Sequence, residues 1–408
     1  MEDLDRQIAE ACARLAPRLG PAPIVAVACI RDEQDVVERF VRHNLSVVDA
    51  LVVVNHRSRD ATPAILDALM AEGLPLAVCH ASLPGKHQAD WMSRMARAVA
   101  HRLSAHPVVP LDADEFLTGS DPETMRGLLR AIPRDAVAAL EWLSYVPMPA
   151  DPPDEVDILK RVTHRRAREV SRTLKLAAGG DLAADAGFLW SHGSHRATLA
   201  LRDLDHLPQR RDLSLAHFPV RSVDQLRAKV ANSRLSNAVR TGRADYLCYD
   251  WLENLVPLVP HMTSDDLRKA AANYLCERDF GDDEVVADPI IPLGGALCHT
   301  TGQVPDALER VMWNAMDLAL LCSVRPDLTL PAVPDPAIQE RSLAMRGALD
   351  RLRDPTVGGE ASPDALVSAF IARRPAISEI PARTLARELL WRIRRRLRSM
   401  LGLTRTTS

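Results

Sequence analysis

Aromatic residues make up only 4% of this 408-residue chain. A platform that stacks single-stranded nucleic acid needs more rings, and a net charge of −3 offers no basic surface for a phosphate backbone. No nucleic-acid partner is expected. Long apolar runs are missing too: nothing approaches the roughly 20 residues that cross a bilayer. The opening MEDLDRQIAEACARL is acidic and amphipathic, without a basic start and an apolar stretch, so no secretory signal is expected. The seven cysteines are scattered and no two form a C-x-x-C pair. That excludes a zinc knuckle and a disulfide framework, and a reducing cytosol is the expected compartment. What remains is an ordinary globular balance, 47% apolar and 26% charged, over a length that suits two or three domains.

Apolar patterning organises the first 150 residues. A helix over 1–19 ends at Gly20-Pro21-Ala22-Pro23, and Ile24 to Cys29 is a short continuous apolar run. Such runs suit strands buried on both faces of a parallel sheet. Val36, Val37, Phe40, Val41, Leu45 and Val48 recur at helical spacing, and Leu51 to Val54 reads as a second strand. Asp60 or Thr62 caps the next helix, with Pro63 in its first turn. Further strands are expected at 76–79, 108–111 and 136–143, and helices at 88–104 and 122–131. Strands alternating with helices imply a mostly parallel α/β sheet with helices on both faces and functional loops at the carboxyl ends of its strands.

Beyond residue 150 the patterns change. Residues 158–218 read as short strands and loops rich in His and Arg, and from 222 onward the periodicity is mainly helical, as in Val223 to Val239 and Leu308 to Leu321. Residues 324–337 and 353–363 have linker composition. The expected division is a catalytic domain over 1–221, a helical region over 222–350, and a linker with a terminal helix over 351–408. In that helix, at 383–403, leucines gather on one side and arginines on the other. Such a helix packs on the core or on a second subunit, or lies on an anionic membrane surface. The second option gives a peripheral location on the inner face of the cell membrane.

The most informative segment is Leu111-Asp112-Ala113-Asp114-Glu115-Phe116. Three carboxylates stand within four residues where an apolar strand ends. Like charges this close repel and need compensation, and a divalent cation is one source of it. In extended chain Asp112 and Asp114 point the same way. With a diphosphate they would make a hard-cation site for Mn²⁺ or Mg²⁺. A solvated acidic turn reads the same way.

The first 120 residues resemble the family-2-like glycosyltransferases of GT-A fold. Four stretches carry the resemblance in order: Val27-Ala28-Cys29-Ile30-Arg31-Asp32-Glu33, Phe40-Val41-Arg42-His43-Asn44, Asn55-His56-Arg57-Ser58-Arg59-Asp60-Ala61-Thr62, and Asp112-Ala113-Asp114-Glu115-Phe116-Leu117. The resemblance implies a nucleotide-sugar donor, bound by Arg31, Glu33, Asn55 and Asp60 in the loops after strands one and two. It implies that Asp112 and Asp114 hold the metal and diphosphate. Asp32, Asn55 and Ala61 depart from the family's usual Asn, Asp and Gly, so uridine is only the default base.

A later block extends the likeness through Lys175, Gly193-Ser194-His195 and Leu215-Ala216-His217-Phe218-Pro219-Val220-Arg221-Ser222. His217 resembles a late metal ligand, and is equally a structural histidine in a strand. Lys175 and His195 are candidates for phosphate or acceptor contacts, against ordinary packing roles. The resemblance implies inversion at the anomeric carbon, which calls for a carboxylate base on the acceptor side. Glu141, beside Trp142, is the first candidate and Asp185 the second. The expected activity is metal-dependent transfer of a sugar to a glycan or lipid-linked acceptor; oligomer formation is open. A haloacid-dehalogenase-like phosphatase carries its D-x-D on the first strand, and a nucleotidyltransferase needs a Gly-rich loop absent here. A transferase fold that binds a nucleotide-sugar or a partner without catalysis is the remaining alternative.

Overall fold

The computed structural model describes residues 2–82, 87–169, 174–207, 212–226, 228–229, 263–274 and 284–301. The sequence-expected helices at 308–321 and 383–403, both linkers and most of 223–239 lie outside these. The chain divides into two compact units. The first comprises 1–83, 87–221 and 268–304; the second comprises 84–86, 222–267 and 305–408. Residues 268–304, which the sequence places in the helical region, therefore group with the first unit.

That unit begins with α1 (Glu2–Leu15), β1 (Val25–Ile30), α2 (Val37–Asn44), β2 (Ala50–His56), α3 (Thr62–Ala71) and β3 (Leu76–Ala81). Next come α4 (Gln88–Arg102), β4 (Val108–Leu111), β5 (Glu115–Gly119), α5 (Pro122–Arg130) and β6 (Val137–Ser144). Then follow α6 (Ile158–Arg161), β7 (His164–Arg166), β8 (Leu174–Ala178), α7 (Gly180–Ala184), β9 (Phe188–Trp190) and β10 (Ala197–Leu199). The last strands are β11 (Arg202–Asp203), β12 (His206–Leu207), β13 (Leu213–His217) and β14 (Val285–Ala287). The main sheet runs β3-β2-β1-β4-β8-β6-β13-β5, with β12 beside β6. Only β8 and β5 run against their neighbours. This is the mostly parallel α/β sheet expected for a GT-A-like domain.

Alternation along the buried strands produces the three layers. Val25 and Val27 face a core built with Leu4, Ile8 and Leu15 of α1, Met92, Met95 and Val99 of α4, and Leu182 of α7. Ala26, Ala28 and Ile30 face the opposite core, filled by Val37, Phe40 and Val41 of α2, Leu66 and Leu69 of α3, and Leu129 of α5. Both faces are covered, so the strands read as continuous apolar runs. Asp121 caps α5 by accepting from the N–H groups of Glu123 and Thr124, with Pro122 opening the helix. At α3 the N-cap is Ala61, not Asp60 or Thr62 as expected; Asp60, one residue earlier, accepts the Thr62 N–H at 2.9 Å.

Helix α2 is buried on every side, and its polar residues are all partnered. The Asn44 side chain donates to Glu115 O at 3.0 Å and accepts the Leu117 N–H at 2.9 Å. His43 Nε2 donates to Leu117 O at 2.8 Å. These bonds brace β5 on the edge that β13 does not cover. The Phe40-Val41-Arg42-His43-Asn44 stretch thus supports the strand that follows D-A-D-E. From its other side α2 grips residues 293–300. Glu38 accepts the N–H groups of Cys298, His299 and Thr300 at 2.7, 2.8 and 2.8 Å. Arg39 donates to the carbonyls of Leu293 and Gly295 and pairs with Asp157. His43 Nδ1 accepts the Leu293 N–H at 3.2 Å.

Acid should loosen this arrangement. Burial pushes the His43 imidazole down to about 4, whereas a free imidazole titrates near 6.5. Burial works against the Glu38 charge, but the three N–H donors and Arg42 outweigh it and hold the carboxyl at about 2. Both groups bind protons more readily once unfolded, so stability is present at neutral pH. His43 withdraws it as pH falls from about 6.5 to 4, and Glu38 from about 4.5 to 2. For His43 the loss is about 3 kcal/mol. Denaturant midpoints of wild type and His43→Gln at pH 7 and 4.5 should show a flatter acid limb in the variant; equal losses would reject the assignment.

Candidate active site

The loops at the carboxyl ends of β1 and β2 clasp each other. The Asp32 N–H donates to Ser58 Oγ at 2.9 Å, and Asp32 Oδ1 accepts the Arg59 N–H at 2.8 Å. The Glu33 N–H donates to Thr62 Oγ1 and the Gln34 N–H to Asp60 Oδ2. Asp32 and Arg57 both adopt φ near +54°, an arrangement that side chains accept only when neighbours enforce it. Asn55 is buried, donating to His80 Nδ1 at 3.2 Å and accepting the Ser58 N–H at 3.4 Å. Arg31 is half-buried, with Nε 3.5 Å from Asp32. Burial raises the Asp60 carboxyl. The four positions expected to bind the nucleotide therefore sit together, with Asn55 and Asp60 also building the loop.

Between β4 and β5 lies the D-A-D-E segment. These strands are joined by three residues, yet β8, β6 and β13 stand between them in the sheet. The connection is a turn closed by the Glu115 N–H donating to Asp112 O at 3.0 Å. The extended-chain expectation, with both aspartates pointing the same way, does not hold. Asp112 accepts Lys175 Nζ at 2.6 Å and Gln88 Nε2 at 2.7 Å. Asp114 is buried near the end of β13, 3.8 Å from His217 Nε2 and 3.7 Å from Arg221.

Glu115 and Lys175 are fully buried beneath the turn. Lys175 Nζ lies 2.9 Å from Glu115 Oε2. Glu115 also accepts Trp142 Nε1 at 2.8 Å and the Asp112 N–H at 2.8 Å. Burial disfavours the ammonium, but Asp112 and Glu115 outweigh it and hold Lys175 at about 12. Burial raises Glu115, yet its oxygens are filled by N–H donors and leave no acceptor for a carboxyl proton, so the two form an ion pair. The compensation that sequence reasoning sought in a metal is thus partly supplied by the chain itself.

Arg221 gives the second part. Its buried guanidinium pairs with Asp35 through Nε at 2.7 Å and NH2 at 3.1 Å, and with Glu33. Asp35, Asp114 and Glu33 raise its pKa against the opposing effect of burial. Lys175 and Arg221 thus each serve more than one carboxylate of the group Glu33, Asp35, Asp112, Asp114 and Glu115.

No family model matches the chain, and no curated protein matches it in sequence. Solved structures do show similarity. One is a mannosyltransferase from Pyrobaculum calidifontis in complex with GDP-Man and Mn²⁺: 15% identity, 90% of this chain and 92% of that one, TM-score 0.31. Another is glucosyl-3-phosphoglycerate synthase from Mycobacterium tuberculosis with Mn²⁺, UDP and phosphoglyceric acid: 15% identity, 42% of this chain, TM-score 0.24. This chain spans about three-fifths of the length of that synthase, 60%.

The remaining site candidates are placed as follows. His217 ends β13, opposite Glu115 on β5 and Ser144 on β6, and stacks on Trp142 with centroids 4.0 Å apart. His195 donates from Nδ1 to Leu174 O at 2.9 Å and meets Trp142 edge-on at 5.1 Å. Glu141 precedes Trp142 on β6, so alternation sends it to the other face of the sheet from the Glu115–Lys175 pair. Asp185 is exposed and accepts the Gly187 N–H at 2.7 Å. Its carbonyl touches Arg97, nine residues along α4 from Gln88, about 14 Å of helix. Gln88, Asp35 and Arg221 join the site without having been assigned to it from sequence. Arg221 had a signal, a cation four residues beyond His217; Gln88 had none.

A divalent cation fits this donor set in one place. Asp114 and His217, 3.8 Å apart, carry the carboxylate and imidazole donors that would hold such an ion. Among the described residues no three His, Cys, Asp or Glu side chains converge as ligands. Bound nucleotide oxygens would have to complete the shell. No helix among the described residues is long and apolar enough to cross a membrane.

Proposed function

We propose that this chain is a metal-dependent glycosyltransferase. It takes a sugar from a nucleoside-diphosphate sugar, UDP by default, and passes it with inversion to a glycan or lipid-linked acceptor. The observation that carries the reading is the Asp114–His217 pair at the carboxyl ends of the strands, within a cluster of carboxylates. An Mn²⁺ or Mg²⁺ ion held there would supply Lewis-acid stabilisation to the charge on the departing diphosphate. Asp114 and His217 hold the ion. The clasped loops bearing Arg31, Glu33, Asn55 and Asp60 receive base and ribose. Arg221 ties Glu33 and Asp35 to the Asp114 turn, so both halves keep one register.

Calorimetric titration of UDP and GDP with and without Mn²⁺ tests the reading. Binding that needs the metal is the expected result, and failure of every nucleoside diphosphate would sink it. A binding protein without turnover is the second reading. It is supported by strand alternation, which turns Glu141 to the face of the sheet opposite the Glu115–Lys175 pair. Release of free sugar from a bound donor would reject it.

A further inference from the structure

His80 stands at the carboxyl end of β3, in register with Asn55 on β2 and, through it, with Ile30 on β1. We propose that the His80 imidazole reads a ring carbonyl of the nucleotide base, and that Asn55 is a positioning residue that sets the tautomer with which it does so. The inference rests on the transferase reading, which brings the base to the loops after β1 and β2. It gives that base a chemical class: uracil or guanine, which carry an exocyclic oxygen where cytosine and adenine carry an amine.

Three observations support it. The first is the tautomer. Asn55 Oδ1 accepts the Ser58 N–H at 3.4 Å, which turns Nδ2 toward His80. Nδ2 has only hydrogens to give, so His80 Nδ1, 3.2 Å away, accepts. An imidazole that accepts at Nδ1 carries its proton on Nε2. The second is the division of exposure. Asn55 is 4% exposed and spends both ends of its amide inside the protein, whereas His80 is exposed. The donor that the pair presents outward is therefore His80 Nε2–H. The third is fixation. Strand β3 is the edge of the sheet, and at His80 its backbone is held by Gln7 of α1. The His80 N–H donates to Gln7 Oε1 at 2.7 Å, and its carbonyl accepts Gln7 Nε2 at 3.2 Å. An exposed ring on an edge strand is thus fixed through both its backbone and its own Nδ1. Arg57 brings the loop after β2 to the same end of β3 by donating to Ser82 O at 2.8 Å.

A fixed N–H donor separates bases by one atom. Uracil O4 and guanine O6 accept it, while the amino groups of cytosine and adenine present N–H groups at the same positions. A donor left facing an amine goes unsatisfied, which is worth about tenfold in affinity.

The test is the affinity ratio within pairs of like ring size, read by calorimetry with Mn²⁺: UDP against CDP, and GDP against ADP. In each pair that binds wild type, the member with the ring oxygen should be favoured about tenfold. His80→Phe should bring the ratio to within about threefold of one. Asn55→Asp should do the same or reverse the preference at pH 8.5, about two units above an ordinary imidazole. Its carboxylate accepts from Nδ1–H and leaves Nε2 an acceptor. Loosening of the loop alone would weaken both members of a pair together. An unchanged ratio in either variant therefore overturns the proposal, as does a wild-type ratio near one. His80→Phe, at an exposed position, decides the matter if Asn55→Asp does not fold. Nitrogen-15 spectra of the histidine side chains add a readout that needs no nucleotide. The His80 signal, identified by its loss in His80→Phe, should show a protonated Nε2 in wild type and a protonated Nδ1 in Asn55→Asp; a protonated Nδ1 in wild type overturns the proposal. A chain that binds no nucleoside diphosphate rejects the transferase reading, and this inference with it. Nucleotide binding without the preference rejects only the inference.

Discussion

Asp114→Asn should abolish metal-dependent nucleotide binding and reduce sugar transfer on the order of 10³-fold, the effect of losing several kcal/mol of Lewis-acid stabilisation. Asn keeps the shape of Asp and removes the charge. The backbone role of this residue survives, because it is Asp114 O that accepts the Phe218 N–H. The variant should therefore fold, with a thermal midpoint close to that of wild type. His217→Gln should fall with it, since both side chains serve one ion. The double variant should be barely worse than either alone, as expected for residues acting as a unit. Independent, multiplicative losses would place His217 in a structural role, as a ring stacked on Trp142. Retained Mn²⁺-dependent UDP binding in Asp114→Asn would remove the ion from this position altogether.

The contrast between the two aspartates shows what the sequence made legible. Apart from β5, the strands and helices through Ser144 follow from apolar period and punctuation: β4 is found at 108–111 as expected, and α5 at 122–130 against an expected 122–131. Those signals are local, and both faces of the strands are covered, so periodicity alone locates them. The loops after β1 and β2 were located by contiguous motifs, whereas the bonds that clasp them together were not read from the sequence. What stayed hidden is long-range. Strand β5 was not expected, since a three-residue link to β4 looks like continuation and its partner β13 lies about a hundred residues away. The turn that separates Asp112 from Asp114 comes from that pairing. The partners of the acidic run are equally remote: Lys175 reaches Asp112 across 63 residues, and Arg221 reaches Asp35 across 186. A sequence shows that like charges need compensation without showing whether an ion or a distant side chain provides it. Here the lysine and arginine provide part of it. Glu141 illustrates the complementary limit. Its neighbour Trp142 reaches the site, and a one-residue shift on a strand sends Glu141 to the other face.

Arg221→Met should be the most destabilising single substitution in the site, by about 3–5 kcal/mol, the range for removing one partner of a buried pair. Met fills much of the aliphatic volume, so the loss reports charge more than packing. Arg221 is 3% exposed and pairs bidentately with Asp35, itself only 9% exposed; without the guanidinium that buried carboxylate loses its bidentate partner. The damage should be electrostatic, which makes it reversible by a second change. Adding Asp35→Asn to Arg221→Met should recover stability, although Asp35→Asn alone should destabilise the wild type. Such a sign reversal in a double-mutant cycle is specific to a charge pair. Arg221→Lys should fall between, because an ammonium keeps the charge but cannot bridge Asp35 bidentately while reaching Glu33 and Asp114. Nucleotide affinity should follow the same order, since Arg221 joins the loop after β1 to the turn after β4. If thermal midpoints for Arg221→Met and its Asp35→Asn double variant were the same, Arg221 would be filling space, and the register of the two loops would have to come from the backbone clasp between Asp32, Ser58 and Arg59.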